Sequence, residues 1–172
     1  MGISKNDYDV NLEHSRLGTT LGFETLHQVE CLCLRNNLIK KVQNINMLVT
    51  LTELDLYDNI LKKIEGIDTL VHLELLDLSY NNIRKIDQIG TLTKLKKLFL
   101  AGNKISKIEN IENLKNLTML ELGANRVRKI ENLENLQNLQ ELYLGKFFKL
   151  QRLNRSHLKF EKSTILEIRN IK

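Results

Sequence analysis

The 172-residue sequence is 42% apolar but only 5% aromatic, and it contains neither Trp nor Pro. Its length fits one domain, and a core made of Leu and Ile suits a repeat better than a compact sandwich. The net charge of +5 is uneven: residues 146–172 carry eight Lys/Arg against two Asp/Glu, while residues 1–145 carry eighteen against nineteen. The basic pI therefore belongs to the tail, which excludes a nucleic-acid argument for the chain as a whole.

The first stretch, MGISKNDYDVNLEH, has no apolar run and predicts no secretory signal. Gly2 does not complete a myristoylation motif, because Asn6 stands where that motif needs Ser or Thr. No stretch approaches 18 uninterrupted apolar residues, so no membrane-spanning helix is expected. Cys31 and Cys33 form a single CxC, too little for a disulfide framework, and a reducing location in nucleus and cytoplasm is expected.

Residues 1–8 read as a flexible lead. A degenerate copy of a repeat follows over 9–28, with Val10 and Leu12 at strand positions, then Leu17, Phe23 and Leu26. Five regular 22-residue copies then run over 29–138, starting at Val29, Leu51, Leu73, Leu95 and Leu117. Seven columns are apolar in all five copies, and an eighth is Asn throughout: Asn37, Asn59, Asn81, Asn103 and Asn125.

This LxxLxLxxNxI pattern is the leucine-rich-repeat signature. Alternation in LxL sends the leucines to one face and their neighbours to the other. Each copy supplies one short strand of a parallel sheet, and no copy can enclose its own leucines. The expected fold is a right-handed α/β leucine-rich-repeat solenoid. It has a curved parallel sheet on the concave side and short 3-10 or helical turns, spaced by threes, on the convex side. The Asn column is expected to bond buried loop backbone, so Asn103→Ala should destabilise more than Asn110→Ala.

A truncated sixth copy over 139–146 begins with Leu139, Leu142 and Leu144. Phe147 then takes the Asn slot, and Lys149, Arg152 and Arg155 take apolar slots. Residues 147–172 form a basic, atypical tail. In it KFFKLQRLNRSHLKF has some helical spacing, and TILEIRNIK reads as a strand.

For function, the histidines share no column, and no phosphate loop, nucleophile elbow or zinc spacing appears. A non-enzyme without metal or cofactor is expected, with no small-molecule substrate. The central column of the concave face reads Cys33, Asp55, Asp77, Phe99, Glu121, Tyr143, flanked by Glu53, Tyr57, Tyr80, Met119 and Glu141. All four aromatics between residues 29 and 145 lie on this face or its rim, and aromatics beside carboxylates serve protein interfaces as anchors. The basic pairs of the return halves, such as Lys40-Lys41 and Arg84-Lys85, run beside an acidic column of Glu65, Asp87, Glu109 and Glu131. They are expected to be self-neutralised.

Several long segments resemble the leucine-rich regulatory subunits of protein phosphatase 1, a family of the 22-residue class. These are CLCLRNNLIK at 31–40, LTELDLYDN at 51–59, KLKKLFLAGNKISKIENI at 94–111 and LTMLELGANRVRKIENL at 117–133, with VNLEHSRL at 10–17 similar to a leading copy. The resemblance covers roughly residues 9–146. It implies a non-catalytic regulatory or scaffold subunit that binds the phosphatase catalytic subunit through the concave face, and a monomer before binding. Family contact positions fall on Asp77, Phe99, Glu121 and Tyr143, with Asp55 one copy earlier on the same line. The family continues for further copies and a dedicated cap, whereas this chain leaves the pattern after LYLGK at 142–146. The alternative is a leucine-rich module with a different protein partner, or nucleic-acid or membrane-surface contact through the basic tail.

Overall fold

A computed structural model describes residues 4–145 and, as backbone, residues 165–167. The LxL segments become three-residue strands: β1 (Asp9–Asn11), β2 (Cys31–Cys33), β3 (Glu53–Asp55), β4 (Leu75–Asp77), β5 (Lys97–Phe99), β6 (Met119–Glu121) and β7 (Glu141–Tyr143). An eighth strand, β8 (Ile165–Glu167), follows β7. All eight lie in one parallel sheet in chain order. From β1 to β7 each residue pairs with the residue 22 positions on, as in Leu54↔Leu76 and Asp55↔Asp77.

The middle residue of each strand from β1 to β7 is buried and its two neighbours are not, as period-two alternation requires. The seven apolar columns form one continuous core, and all of their members are buried except Val127 and Ile130, which are half-buried. Each buried Leu or Ile contributes about 1.5–3 kcal/mol relative to exposure.

The three-residue spacing of the return half has a direct backbone counterpart. Leu48 N–H donates to the Ile45 carbonyl and Leu51 N–H to the Leu48 carbonyl, and every later copy repeats this pair. These are isolated 3-10-type turns. Among the described residues only Phe23–Thr25 is regular enough to form a 3-10 helix, in the degenerate copy.

The Asn column stitches neighbouring copies together. Asn103 Nδ2 donates within its own copy to the Leu100 carbonyl at 3.1 Å and to the preceding copy's Leu78 carbonyl at 2.9 Å. Its Oδ1 accepts from Ile83 N–H at 2.9 Å. Asn37, Asn59, Asn81 and Asn125 repeat the arrangement. Asn125 is only half-buried, as are the neighbouring Val127 and Ile130. In the 22-residue register these would be covered by the slots that the sequence fills with Phe147, Lys149 and Arg152.

Two further columns adopt the left-handed backbone region. One follows the strands: His14, Asn36, Asp58, Tyr80, Gly102 and Ala124, with φ between 50° and 66°. The other lies in the return half: Gly22, Asn44, Gly66, Gln88, Asn110 and Asn132. Gly and Asn suit this region, whereas other side chains pay about 1–2 kcal/mol. Asn110 also donates to the Ile86 carbonyl at 2.7 Å. It is therefore a structural residue in its own right and not a neutral comparison for Asn103.

At the leading edge, Tyr8 offers its carbonyl to the N–H groups of Glu30 and Cys31, so the ladder begins one residue before β1. At the other edge β8 pairs with β7 as Glu141↔Ile165, Leu142↔Leu166 and Tyr143↔Glu167. This is a step of 24 residues, and it places a strand within the segment read from sequence as TILEIRNIK. The helical spacing read over 147–158 lies outside the described residues, as do residues 1–3.

Asn103→Ala is expected to lower unfolding stability by about 2–3 kcal/mol, because several buried backbone groups lose their partner. Asn116→Ala, which removes one exposed bond to the Thr93 carbonyl, should cost less than about 1 kcal/mol in the same denaturant titration. Equal costs would remove the ladder as a source of stability.

Gln88→Gly should raise stability by about 1 kcal/mol, since φ at this position is 53°. A lower melting temperature for that variant would contradict the strain assigned to this column.

Candidate protein-binding face

Parallel register sets a single line of side chains across the sheet. Asn11, Cys33, Asp55, Asp77, Phe99, Glu121 and Tyr143 pair in succession from β1 to β7. All five residues singled out from sequence, Asp55, Asp77, Phe99, Glu121 and Tyr143, stand in this line on consecutive strands. Each is half-buried, with its neighbours in the adjacent copies as lateral walls. The residue before each buried leucine adds a second line: Cys31, Glu53, Leu75, Lys97, Met119 and Glu141.

The carboxylates on this face are not equivalent. Asp55 is ion-paired: Arg35 Nη1 donates to its Oδ2 at 3.0 Å. Asp77 accepts from Ser79 N–H at 2.8 Å, but among the described residues no cation lies within ion-pair distance of it. Burial pushes the Asp77 carboxyl up from its ordinary value, the Ser79 bonds pull it back, and Asp55 adds a smaller upward push. Glu121 is also pushed up, first by burial and then by Asp77 two strands away. Phe99 lies on the strand between these two carboxylates. Tyr143 donates its hydroxyl to Glu141 Oε2.

The thiols of Cys31 and Cys33 are free and half-buried. Burial raises both, and the surrounding Glu53, Asp9 and Glu30 raise Cys31 further. A raised thiol holds little thiolate at neutral pH and is a poor nucleophile or metal ligand. Among the described residues no group of three or more His, Cys, Asp or Glu is placed to hold a metal ion, and no helix is long and apolar enough to cross a membrane.

The convex side behaves differently. Four of its bases are paired with acids: Lys41 with Glu65 at 4.0 Å, Lys85 with Asp87 at 3.5 Å, Lys107 with Glu109 at 3.9 Å and Lys129 with Glu131 at 2.9 Å. Exposed pairs of this kind add little stability. They offset only part of the basic stripe expected to be self-neutralised, because Lys40, Lys62, Lys63, Arg84 and Arg128 have no acid within ion-pair distance among the described residues.

Sequence reasoning placed Tyr57 and Tyr80 at the rim but missed Arg35. The guanidinium lies over the Tyr57 ring, 4.3 Å from its centroid. The available signal was position: Arg35 precedes Tyr57 by one repeat length, which puts the two side by side.

A family model described as Leucine Rich repeats (2 copies) matches residues 71–113. Among solved structures, an internalin (InlF) from Listeria monocytogenes superposes with a TM-score of 0.76 at 27% identity, covering 80% of this chain and 41% of that one. The LRR protein LIC12759 of Leptospira interrogans gives 0.63 at 26% identity, over 80% and 42%. The chain is a leucine-rich-repeat solenoid.

Among curated proteins it is similar to protein phosphatase 1 regulatory subunit 7. The Xenopus tropicalis protein is 58% identical over 48 residues, which is 28% of this chain and 14% of that protein. The Homo sapiens protein is 48% identical over 48 residues, 28% of this chain and 13% of that protein. The match thus spans about a seventh of the length of these relatives. A leucine-rich protein-interaction module with partial homology to a phosphatase regulatory subunit is the reading that fold and comparisons share.

The raised carboxyl of Glu121 makes a pH prediction with a definite sign. Its folded-state value lies above the unfolded one, so the folded chain binds the proton more readily. Stability therefore falls as pH rises through the carboxylate range, and the penalty is complete at pH 7. Glu121→Gln is expected to raise the melting temperature at pH 7, and the gain should vanish near pH 4 and below, where both forms are neutral. A gain that persists unchanged at low pH would point to packing instead of charge.

Proposed function

We propose that this chain is a non-catalytic regulatory or scaffold subunit that binds the catalytic subunit of protein phosphatase 1 through its concave face, in nucleus and cytoplasm. It would be a monomer before binding. The observation that carries the reading is the trio Asp77, Phe99 and Glu121. Two partly buried carboxylates flank a half-buried aromatic ring, and neither has a cation within ion-pair distance among the described residues. Such an arrangement costs stability in the free chain and suits a Lys or Arg side chain of a partner, desolvated against the ring. Tyr143 extends the line on one side and Asp55, already paired with Arg35, on the other.

Scale supports the same reading. Eight strands about 4.8 Å apart give a face about 34 Å wide. That is wide enough for an interface of standard size, about 800 Å² per partner. The similarity to protein phosphatase 1 regulatory subunit 7 supports the choice of phosphatase as partner, which the geometry of the face alone does not specify.

The test is binding of purified chain to the phosphatase-1 catalytic subunit, by pull-down and then by titration. Phe99→Ala with Glu121→Ala should weaken binding by at least about 30-fold, the equivalent of one hot spot of about 2 kcal/mol. Absence of binding by the wild-type chain would overturn the phosphatase assignment.

A further inference from the structure

The central line leaves unused the rim where β2–β4 end, and that rim is built with some care. Arg35 lies on the Tyr57 ring while donating to Asp55 Oδ2. Tyr57 meets Tyr80 with ring centroids 5.0 Å apart and planes tilted by 52°. Tyr80 in turn packs on Gly102: a Cβ at Gly102 would lie 3.0 Å from the Tyr80 ring. The three side chains form a continuous wall along the direction in which copies stack.

Tyr80 is the bulkiest member of the left-handed column that follows the strands, with φ 54°. That conformation is unfavourable for a large side chain. Yet the residue is 42% exposed, so burial of the ring does not account for its presence there. A strained, well-supported aromatic that faces water is the form an interface anchor takes.

The charges facing this corner favour one kind of occupant. Asp58 precedes Tyr80 by one copy in the same column, and Asp58 and Asp77 both push the Tyr57 hydroxyl upward, after burial and Tyr80. Arg35 pulls in the opposite direction, but Asp55 already pairs with it. Three carboxylates thus stand against one guanidinium. The corner repels phosphate groups of nucleic acid or lipid and attracts a cation.

We propose that the Tyr57–Tyr80 corner is a second docking point, which takes an arginine side chain from a loop of a protein partner. The incoming guanidinium lies on the exposed part of the Tyr80 ring and pairs with Asp58. It repeats between molecules the contact that Arg35 makes with Tyr57 and Asp55 within this one. Arginine suits the site better than lysine because a planar guanidinium stacks and pairs at once. The proposal rests on the reading of the concave side as a protein-binding face, and it adds a contact outside the central line.

The test compares wild type with Tyr80→Gly and Asp58→Asn, each checked for a cooperative melt. Glycine accepts the left-handed backbone at residue 80, so this variant removes the ring without introducing strain. Each variant should bind the phosphatase-1 catalytic subunit about tenfold more weakly than wild type. Wild-type affinity in both overturns the docking point and leaves the phosphatase assignment standing. If wild type does not bind the phosphatase, that assignment falls, and a six-residue oligoarginine peptide becomes the probe. Weaker peptide binding by Tyr80→Gly, with hexalysine bound less well than hexaarginine by wild type, then supports the corner. Equal binding of the peptide by Tyr80→Gly and wild type overturns it.

Discussion

No copy in this chain can bury its own leucines, and the rest of the structure follows from that constraint. A three-residue strand and a return of isolated turns enclose nothing alone. Each copy becomes a core only when neighbours close it on both sides. The Asn column makes that closure specific: one amide satisfies carbonyls in its own copy and the one before, and its oxygen takes an N–H from the preceding return half. Apolar stacking supplies the driving force, and the amides set the spacing at which it is realised.

With the core confined to fixed columns, the remaining positions are free to vary, and the two sides have used that freedom differently. On the convex side four bases face acids at 2.9–4.0 Å, and part of the surface charge is neutralised locally. On the concave side Asp77 and Glu121 are partly buried with their carboxyls raised, and Tyr80 sits in an unfavourable backbone region. These features each cost stability in the free chain. Raised carboxyls with no cation within ion-pair distance among the described residues, gathered on one face, are a stronger sign of a binding role than the aromatic count alone.

The repeat made much of this legible before any coordinates. A 22-residue step with parallel strands places column members side by side, so Asp55, Asp77, Phe99, Glu121 and Tyr143 had to form one line. The electrostatic differences within that line were not legible, because they depend on depth and on which cation lies within reach. Arg35 escaped notice since it stands outside the column that was read. The left-handed columns were half visible as Gly22, Asn44, Gly66, Asn110 and Asn132, but Gln88 and Tyr80 obscured them. Nothing in residue type says that a tyrosine will accept a backbone that glycine prefers.

The C-terminal edge shows which part of the repeat is dispensable. After Gly145 the apolar columns end, yet the sheet gains β8, with Leu166 at the register position beside Leu142. Strand addition requires only backbone N–H and C=O groups, and a step of 24 residues serves as well as 22. The return half has no such latitude, because its burial depends on side chains three apart, and there Val127 and Ile130 stay half-buried. The sheet that carries the candidate interface continues for two strands, β7 and β8, past the last regular copy. The concave line is in this way extended to the register position of Glu167, next to Tyr143, even though the motif that built the line has already stopped.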